Sequence, residues 1–248
     1  MRKVVGPIVT VLVLGVALVS PTVAQTPQTS VTVDSKVSPN RAGTPKKPQG
    51  VTLSGKIRWQ SEEGIEPPII TAFDIFLAKG GLYNGGKYAK CSAAVANRNG
   101  PQACPKKSIM GSARGVAFAD QEITRPKVTF INGGPRNICF YTVLTNPARV
   151  ETCVPGKVTK LNGNPKWGYR LQIRVPEVLQ VVAGVPIALR EISFKAGGKS
   201  YAKDWIATTS CPKNRKWGFQ VETSYLYNDG STSSSQFADS VACKPAKK

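Results

Sequence analysis

The sequence predicts an all-β protein: an antiparallel β-sandwich, of jelly-roll or immunoglobulin-like type, with one or two short helices. The first observation is the alternation of apolar and polar residues in short runs, seen best at Val51, Leu53, Ile57 and Trp59. A period of two is typical of strands that bury one face. The second is that turns rich in Gly and Asn separate the runs, and the 23 Gly and 19 Pro leave little room for long helices. Together these features favour many short antiparallel strands.

The predicted elements begin with an edge strand in which Val31, Val33 and Val37 alternate with polar residues. Ser92 is placed to cap a short helix over 92–99, and Gly100 to end it. Residues 176–182 predict one or two further helical turns. The remaining predicted strands are 51–59, 69–77, 115–119, 127–132, 138–144, 157–161, 167–175, 187–194, 205–209, 217–227 and 236–242.

Four segments are predicted along the chain. Residues 1–24 begin with Arg2 and Lys3, continue as an apolar run and end on small residues, which predicts a secretory signal peptide cut after Ala24. A retained transmembrane anchor is the alternative, but the run is short for a bilayer, so no anchor is expected after cleavage. Residues 25–50 predict an exposed segment carrying the edge strand, 51–243 a single sandwich domain and 244–248 a basic tail. Two smaller sandwiches divided near 147–165 are the alternative.

The cysteines are even in number, which predicts disulfides and an oxidising destination. Many pairings are open to six cysteines, and we expect nearest neighbours along the chain to pair. Each such disulfide closes a modest loop and contributes about 3–4 kcal/mol in the chain-entropy description. The expected pairs are Cys91–Cys104, Cys139–Cys153 and Cys211–Cys243.

Several stretches resemble a group of uncharacterised secreted proteins of actinobacteria. The resemblance lies in residues 79–85, 104–111, 147–149, 179–187 and 209–213, and it covers most of the chain after the predicted signal peptide. It implies secretion and a single domain. The group has no known activity, so the resemblance implies no catalytic residue. The pair Cys139 and Cys153 departs from that group.

The complete absence of histidine narrows the chemistry. Ser-His-Asp and Cys-His catalysis needs an imidazole base near neutral pH, and histidine-ligated zinc is excluded as well. A calcium site would need several oxygen ligands together, and the best candidates, Asn228, Asp229 and Asp239, are more typical of a turn. We therefore expect no cofactor, no metal and no catalytic residue.

The strongest functional signal is the basic surplus, 34 Lys and Arg against 14 Asp and Glu. In the predicted strand 167–175, cations four residues apart share the outer face and lie about 13 Å apart, a spacing that suits an extended polyanion. The cations of strand 51–59 extend that face if the two strands are neighbours. The predicted polyanion-binding residues are Lys166, Arg170, Arg174, Lys56 and Arg58.

These features predict a secreted, non-enzymatic protein, extracellular or associated with the cell wall, that binds anionic envelope polymers or polysaccharides. Attraction of a basic surface to negative polymers weakens with salt. No helix-turn-helix, zinc finger or RNA-binding motif is present, so no specific nucleic-acid partner is expected. A charged face that serves only solubility is the simplest alternative.

A second hypothesis is a histidine-free glycan-active hydrolase or a carbohydrate-binding module. Paired carboxylates could hydrolyse a glycosidic bond, and exposed tryptophans could stack on sugars. Asp120 and Glu122 would share one face of a strand, and Asp74 would point inward from an apolar strand. The other candidates are Glu62, Glu63 and Glu66, with Trp59, Trp167, Trp205 and Trp217 as the sugar platform.

Overall fold

The computed structural model describes residues 29–63 and 66–247. The predicted signal peptide over 1–24 lies outside the described residues. The strands are β1 Thr29–Ser38, β2 Gln49–Gly50, β3 Thr52–Ser61, β4 Ile69–Ala78, β5 Gly81–Tyr83, β6 Ile109–Ala119, β7 Glu122–Thr124, β8 Lys127–Asn132, β9 Asn137–Leu144, β10 Val150–Lys160, β11 Trp167–Arg174, β12 Val181–Val182, β13 Val185–Gly197, β14 Ile206–Thr208, β15 Lys216–Leu226 and β16 Thr232–Ala242. The helices are α1 Ala93–Asn99 and α2 Glu177–Gln180. The all-β prediction with two short helices is confirmed.

One long antiparallel sheet forms most of the molecule. Its strand order is β1-β3-β13-β6-β8-β9-β10-β11-β4-β15-β16, with β7 paired to β6 and β12 to β13. The sheet wraps round until its first and last strands lie side by side, which gives a nearly closed, sandwich-like body. A smaller sheet, ordered β2-β14-β5, covers one end of the wrap.

The seam between β1 and β16 closes the wrap without a strand ladder. The hydrogen-bonding partner of β1 is β3, and that of β16 is β15. At one end of the seam, the hydroxyls of Thr29 and Tyr227 lie 3.1 Å apart. At the other end, Arg41 forms a parallel bridge with Lys244. Between these two points the strands meet through apolar side chains, among them those of Val33 and Val241.

The core lines the inside of the wrapped sheet because alternate residues of the long strands face inward. In β1, for example, Val31 and Val33 are buried while their neighbours are exposed, as the alternation predicts. Trp59 packs in the same cluster as Val33, and its ring lies 5.4 Å from that of Phe73. A separate apolar cluster lies on the outer side of β9 and β10, under α1.

Helix α1 and the disulfides have the predicted form. The Ser92 hydroxyl accepts a hydrogen bond from the Val95 amide, and Gly100 ends the helix at φ 75°, a conformation that glycine adopts easily. All three expected cysteine pairs are bonded: Cys91–Cys104, Cys139–Cys153 and Cys211–Cys243. No helix within 29–63 and 66–247 is long and apolar enough to cross a bilayer.

Several strands are longer than predicted, among them β6, β10, β13 and β16. β10 begins at Val150 rather than 157, although Pro155 lies within it. A proline has no N–H to donate, but β10 has only β9 as its ladder partner until Gly156, where pairing with β11 begins, so the missing donor is tolerated. β16 begins at Thr232 rather than at 236, because the serine-rich run before 236 pairs in register with β15.

Candidate functional site

The outer face of β11 carries Arg170 and Arg174 as predicted, but both arginines bind one carboxylate. Asp74 lies on the neighbouring strand β4, opposite Gln172. Its Oδ1 accepts a hydrogen bond from Arg170 Nε at 3.0 Å, and its Oδ2 lies 3.3 Å from Arg174 Nη2. The prediction that Asp74 points inward is therefore wrong. Arg170, Arg174 and Asp74 are called the Asp74 cluster below.

Aromatic rings support the cations on this face. The guanidinium of Arg170 lies 5.6 Å from the centre of the Phe76 ring. The ammonium of Lys166 lies 4.5 Å from the Trp167 ring. A cation over an aromatic face gains a modest electrostatic attraction, so these side chains have preferred positions as well as charge. The Asp74 cluster carries one net positive charge, which makes it a weaker anion site than the sequence predicts.

Lys56 and Arg58 lie on a different side of the molecule. Strands β3 and β11 are separated by five or more strand intervals in either direction round the sheet. The expectation that these two cations extend the β11 face is therefore wrong. Glu191 of β13 pairs with both of them, with Lys56 Nζ at 2.7 Å and Arg58 Nε at 3.3 Å. The hydrogen bond from Lys56, helped by both positive charges, lowers the pKa of Glu191.

Three further cations lie beside Lys56 and Arg58. Lys56 is in register with Ser193, Ser193 with Arg114, and Arg114 with Lys127, which forms one row across β3, β13, β6 and β8. Directly paired residues in a sheet point to the same face, and two residues beyond Ser193 on β13 Lys195 points the same way. We call this set the basic face; its residues are Lys56, Arg58, Arg114, Lys127 and Lys195.

The basic face has more positive charge than its acids neutralise. The side chains of Arg114, Lys127 and Lys195 are exposed, and none of them forms an ion pair with a carboxylate in the described parts of the chain. Lys195 Nζ lies 3.4 Å from the Ser200 hydroxyl. The acids on this face are Glu191 and, opposite Lys56 at the β1 edge, Asp34. The five cations of the basic face therefore outnumber Glu191 and Asp34 in the described chain, and Lys36 of β1, in the same row as Ser54 and Lys195, adds a further positive charge.

The residues of the glycan hypothesis do not assemble into a site. Asp120 lies in the turn between β6 and β7 at φ 55°, and Glu122 is the first residue of β7, so the two do not share a face of one strand as predicted. Glu62, Glu63 and Glu66 are exposed around the end of β3. The tryptophans do not form the sugar platform of this second hypothesis, because all four are buried: Trp59 at 3%, Trp167 at 8%, Trp205 at 2% and Trp217 at 7% exposure.

The acidic residues do not gather into a metal site either. Within 29–63 and 66–247, no three Asp, Glu or Cys residues are grouped as metal ligands would be. Asp229 has a local role in the turn before β16, where its Oδ1 accepts a hydrogen bond from the Ser231 amide at 2.8 Å. The hydrogen bonds from Ser231 lower the pKa of Asp229.

Comparison with known proteins adds no relative. No family model, no curated protein and no solved structure matches the chain. The resemblance to secreted actinobacterial proteins stays a prediction. Contacts, burial and charge are therefore the basis for any functional proposal.

Proposed function

We propose that this protein is a secreted, non-enzymatic binding protein whose basic face holds an anionic polymer of the cell envelope. The observation that carries the proposal is the row formed by Lys56, Arg114 and Lys127, with Lys195 beside it. Three of these four cations are exposed and have no carboxylate partner in the described chain.

The dimensions of the row suit a polymer better than a single phosphate group. Neighbouring strands lie about 4.8 Å apart, so three intervals place the backbones of Lys56 and Lys127 roughly 14 Å from each other. A chain of phosphates or carboxylates can contact several cations at once over that length. A small anion reaches only one or two of them.

The compartment supports an envelope polymer rather than an intracellular one. The disulfides are compatible with an oxidising destination, which agrees with the predicted signal peptide. The row Lys56, Ser193, Arg114 and Lys127 contains no aromatic residue on which bases could stack. One aromatic side chain, that of Tyr201, contacts Ser112 beside Lys195. A phosphate-rich or carboxylate-rich wall polymer is the partner that this combination favours.

The test is binding of the oxidised protein to a purified glycerol-phosphate polymer across a salt series, with neutral dextran in parallel. We expect binding to the anionic polymer alone, falling steeply as salt rises. The double variant Arg114→Ser/Lys127→Ser should bind about tenfold or more weakly, since each surface cation contributes about 1 kcal/mol near a polyanionic surface.

The matched control removes the same charge elsewhere. Lys213 and Lys216 are exposed near the start of β15, away from the basic face. The variant Lys213→Ser/Lys216→Ser should retain most of the affinity. Equal losses in the two double variants, or no binding of the unaltered protein to the anionic polymer, would overturn the proposal.

A further inference from the structure

The inside of the wrapped sheet contains a cavity of about 380 Å³. Protein interiors are close-packed, and voids larger than a water molecule are few. Ligand pockets have volumes of about 300–1,000 Å³, so this cavity is of the size that binds a small molecule. Apolar side chains from all sides of the wrap line it, among them those of Val33, Phe73, Val128, Leu171, Phe194 and Val221.

The cavity exists because the sheet has many strands and because some of the side chains that line it are small. A sheet of more strands encloses a wider interior, and here eleven strands follow one another round the wrap. Ala117, Ala196 and Ala207 line the cavity with single methyl groups, and each is at most 5% exposed. Larger side chains at these positions would fill the space that the alanines leave.

Both ends of the cavity are covered. The small sheet lies across one end, where Trp205 and Tyr83 pack edge to face with ring centres 5.4 Å apart. Leu179 of α2 lines the cavity near the opposite end, after β11. The seam between β1 and β16 offers access from the side, because the two strands can separate there without breaking a strand ladder.

The lining of the cavity is almost wholly apolar. Thr208 of β14 lies next to it, but the Thr208 hydroxyl is buried and is not exposed to the cavity space. An occupant would therefore be held by apolar contacts.

We propose that the cavity binds one elongated, largely apolar molecule, such as a long-chain alcohol. An apolar cavity of about 150 Å³ takes one benzene molecule, so this one has space for roughly 15 carbon atoms. The site is separate from the basic face, which lies on the outside of the same sheet.

The first test uses N-phenyl-1-naphthylamine, a neutral probe whose fluorescence rises in apolar surroundings. We expect saturable binding with one probe per protein, insensitive to salt because the probe is uncharged, and displacement by dodecanol. The absence of fluorescence enhancement in the oxidised protein would overturn the proposal. Binding to the basic face should weaken with salt, whereas binding in the cavity should not. The experiments can therefore disprove one proposal without affecting the other.

Variants with larger side chains in the cavity test whether the probe binds there. Ala117→Leu and Ala207→Leu each add three carbon atoms to the lining and should weaken probe binding at least about tenfold, since overpacking opposes a second occupant. Ala238→Leu makes the same change at an exposed position of β16 and is the control. If either interior variant keeps its fold by circular dichroism and binds as tightly as the control, the cavity is not the site.

Discussion

Arg170 donates from Nε to Asp74 Oδ1 at 3.0 Å across the β11–β4 pair, and this contact joins two residues almost 100 positions apart. The side chain of Asp74 is only 12% exposed, whereas those of Arg170 and Arg174 are 34% and 55% exposed. The arginines thus cover the carboxylate and remain partly in water. This arrangement explains how an acidic residue sits within an apolar strand without facing the core.

Replacing Asp74 should therefore destabilise the fold. Asp74→Asn keeps the shape of the side chain but removes the charge that both arginines share, and we expect a loss of about 1–2 kcal/mol in the free energy of unfolding. Urea denaturation measures it. Glu222→Gln is the control, because Glu222 lies opposite Asp74 on β15 and forms no ion pair within the described residues. A similar loss in both variants would contradict the assigned role of Asp74.

The ion pairs of Glu191 make stability depend on acid pH. Because the folded pKa of Glu191 lies below its usual value, its contribution is present above about pH 4.3 and is lost as pH falls through the lower folded pKa. Glu191→Gln should thus lose less stability than the unaltered protein between about pH 5 and about pH 3. Thermal melts across this range measure the difference. Glu62→Gln, at an exposed position, should follow the unaltered protein.

Tyr141 should make the stability of the fold depend on pH in the opposite sense, with stability lost as pH rises in the alkaline range. Burial, together with the hydrogen bond to Glu151 at 2.6 Å, raises the pKa of Tyr141 to about 12. A raised folded pKa gives stability below the ordinary value of about 10 that is lost as pH rises towards 12. Tyr141→Phe should be less stable near neutral pH and show a flatter decline above about pH 10. Parallel melting curves for the two proteins would contradict this.

The disulfides Cys139–Cys153 and Cys211–Cys243 should stabilise different parts of the fold. Cys139 and Cys153 join β9 to β10, two strands already held by a ladder, and are separated by 14 residues. Cys211 and Cys243 are separated by 32 residues, and Cys243 follows β16 at the end of the seam.

Replacing both cysteines of a pair with alanine should lower the free energy of unfolding through the loss of loop closure. We expect a loss of about 3 kcal/mol for Cys139–Cys153 and about 4 kcal/mol for Cys211–Cys243. Only the second should speed hydrogen exchange in β1 and β16. Equal exchange in those strands for both variants would contradict a role of Cys211–Cys243 at the seam.

The sequence predicts local structure well where alternation is clean. The predicted strand 127–132 coincides with β8, and the predicted helix over 92–99 matches α1 with its cap at Ser92. Prediction is weaker where residue types are ambiguous. The serine-rich start of β16 is stabilised by its pairing with β15, a contact that propensity does not include.

The basic face shows why a surface site can escape prediction from the sequence even when the strands that form it are predicted. The predicted strand 115–119 begins one residue after Arg114, and the predicted strand 187–194 ends one residue before Lys195, so the sequence places neither cation on a strand face. Their alignment with Lys56 depends on the register between strands distant in the chain. A periodic pattern indicates which residues share one strand face, but not which strands are neighbours.

The seam has a mechanical consequence. A ring of strands joined everywhere by ladders must rupture many hydrogen bonds together when pulled sideways. Here the load between β1 and β16 falls on apolar contacts and on a few bonds at the two ends, such as Thr29 with Tyr227. The sheet is therefore closed by a contact that is weaker than the ladders between its other strands. Force applied across the β1–β16 seam should open the seam first, after which the remaining strands separate one after another.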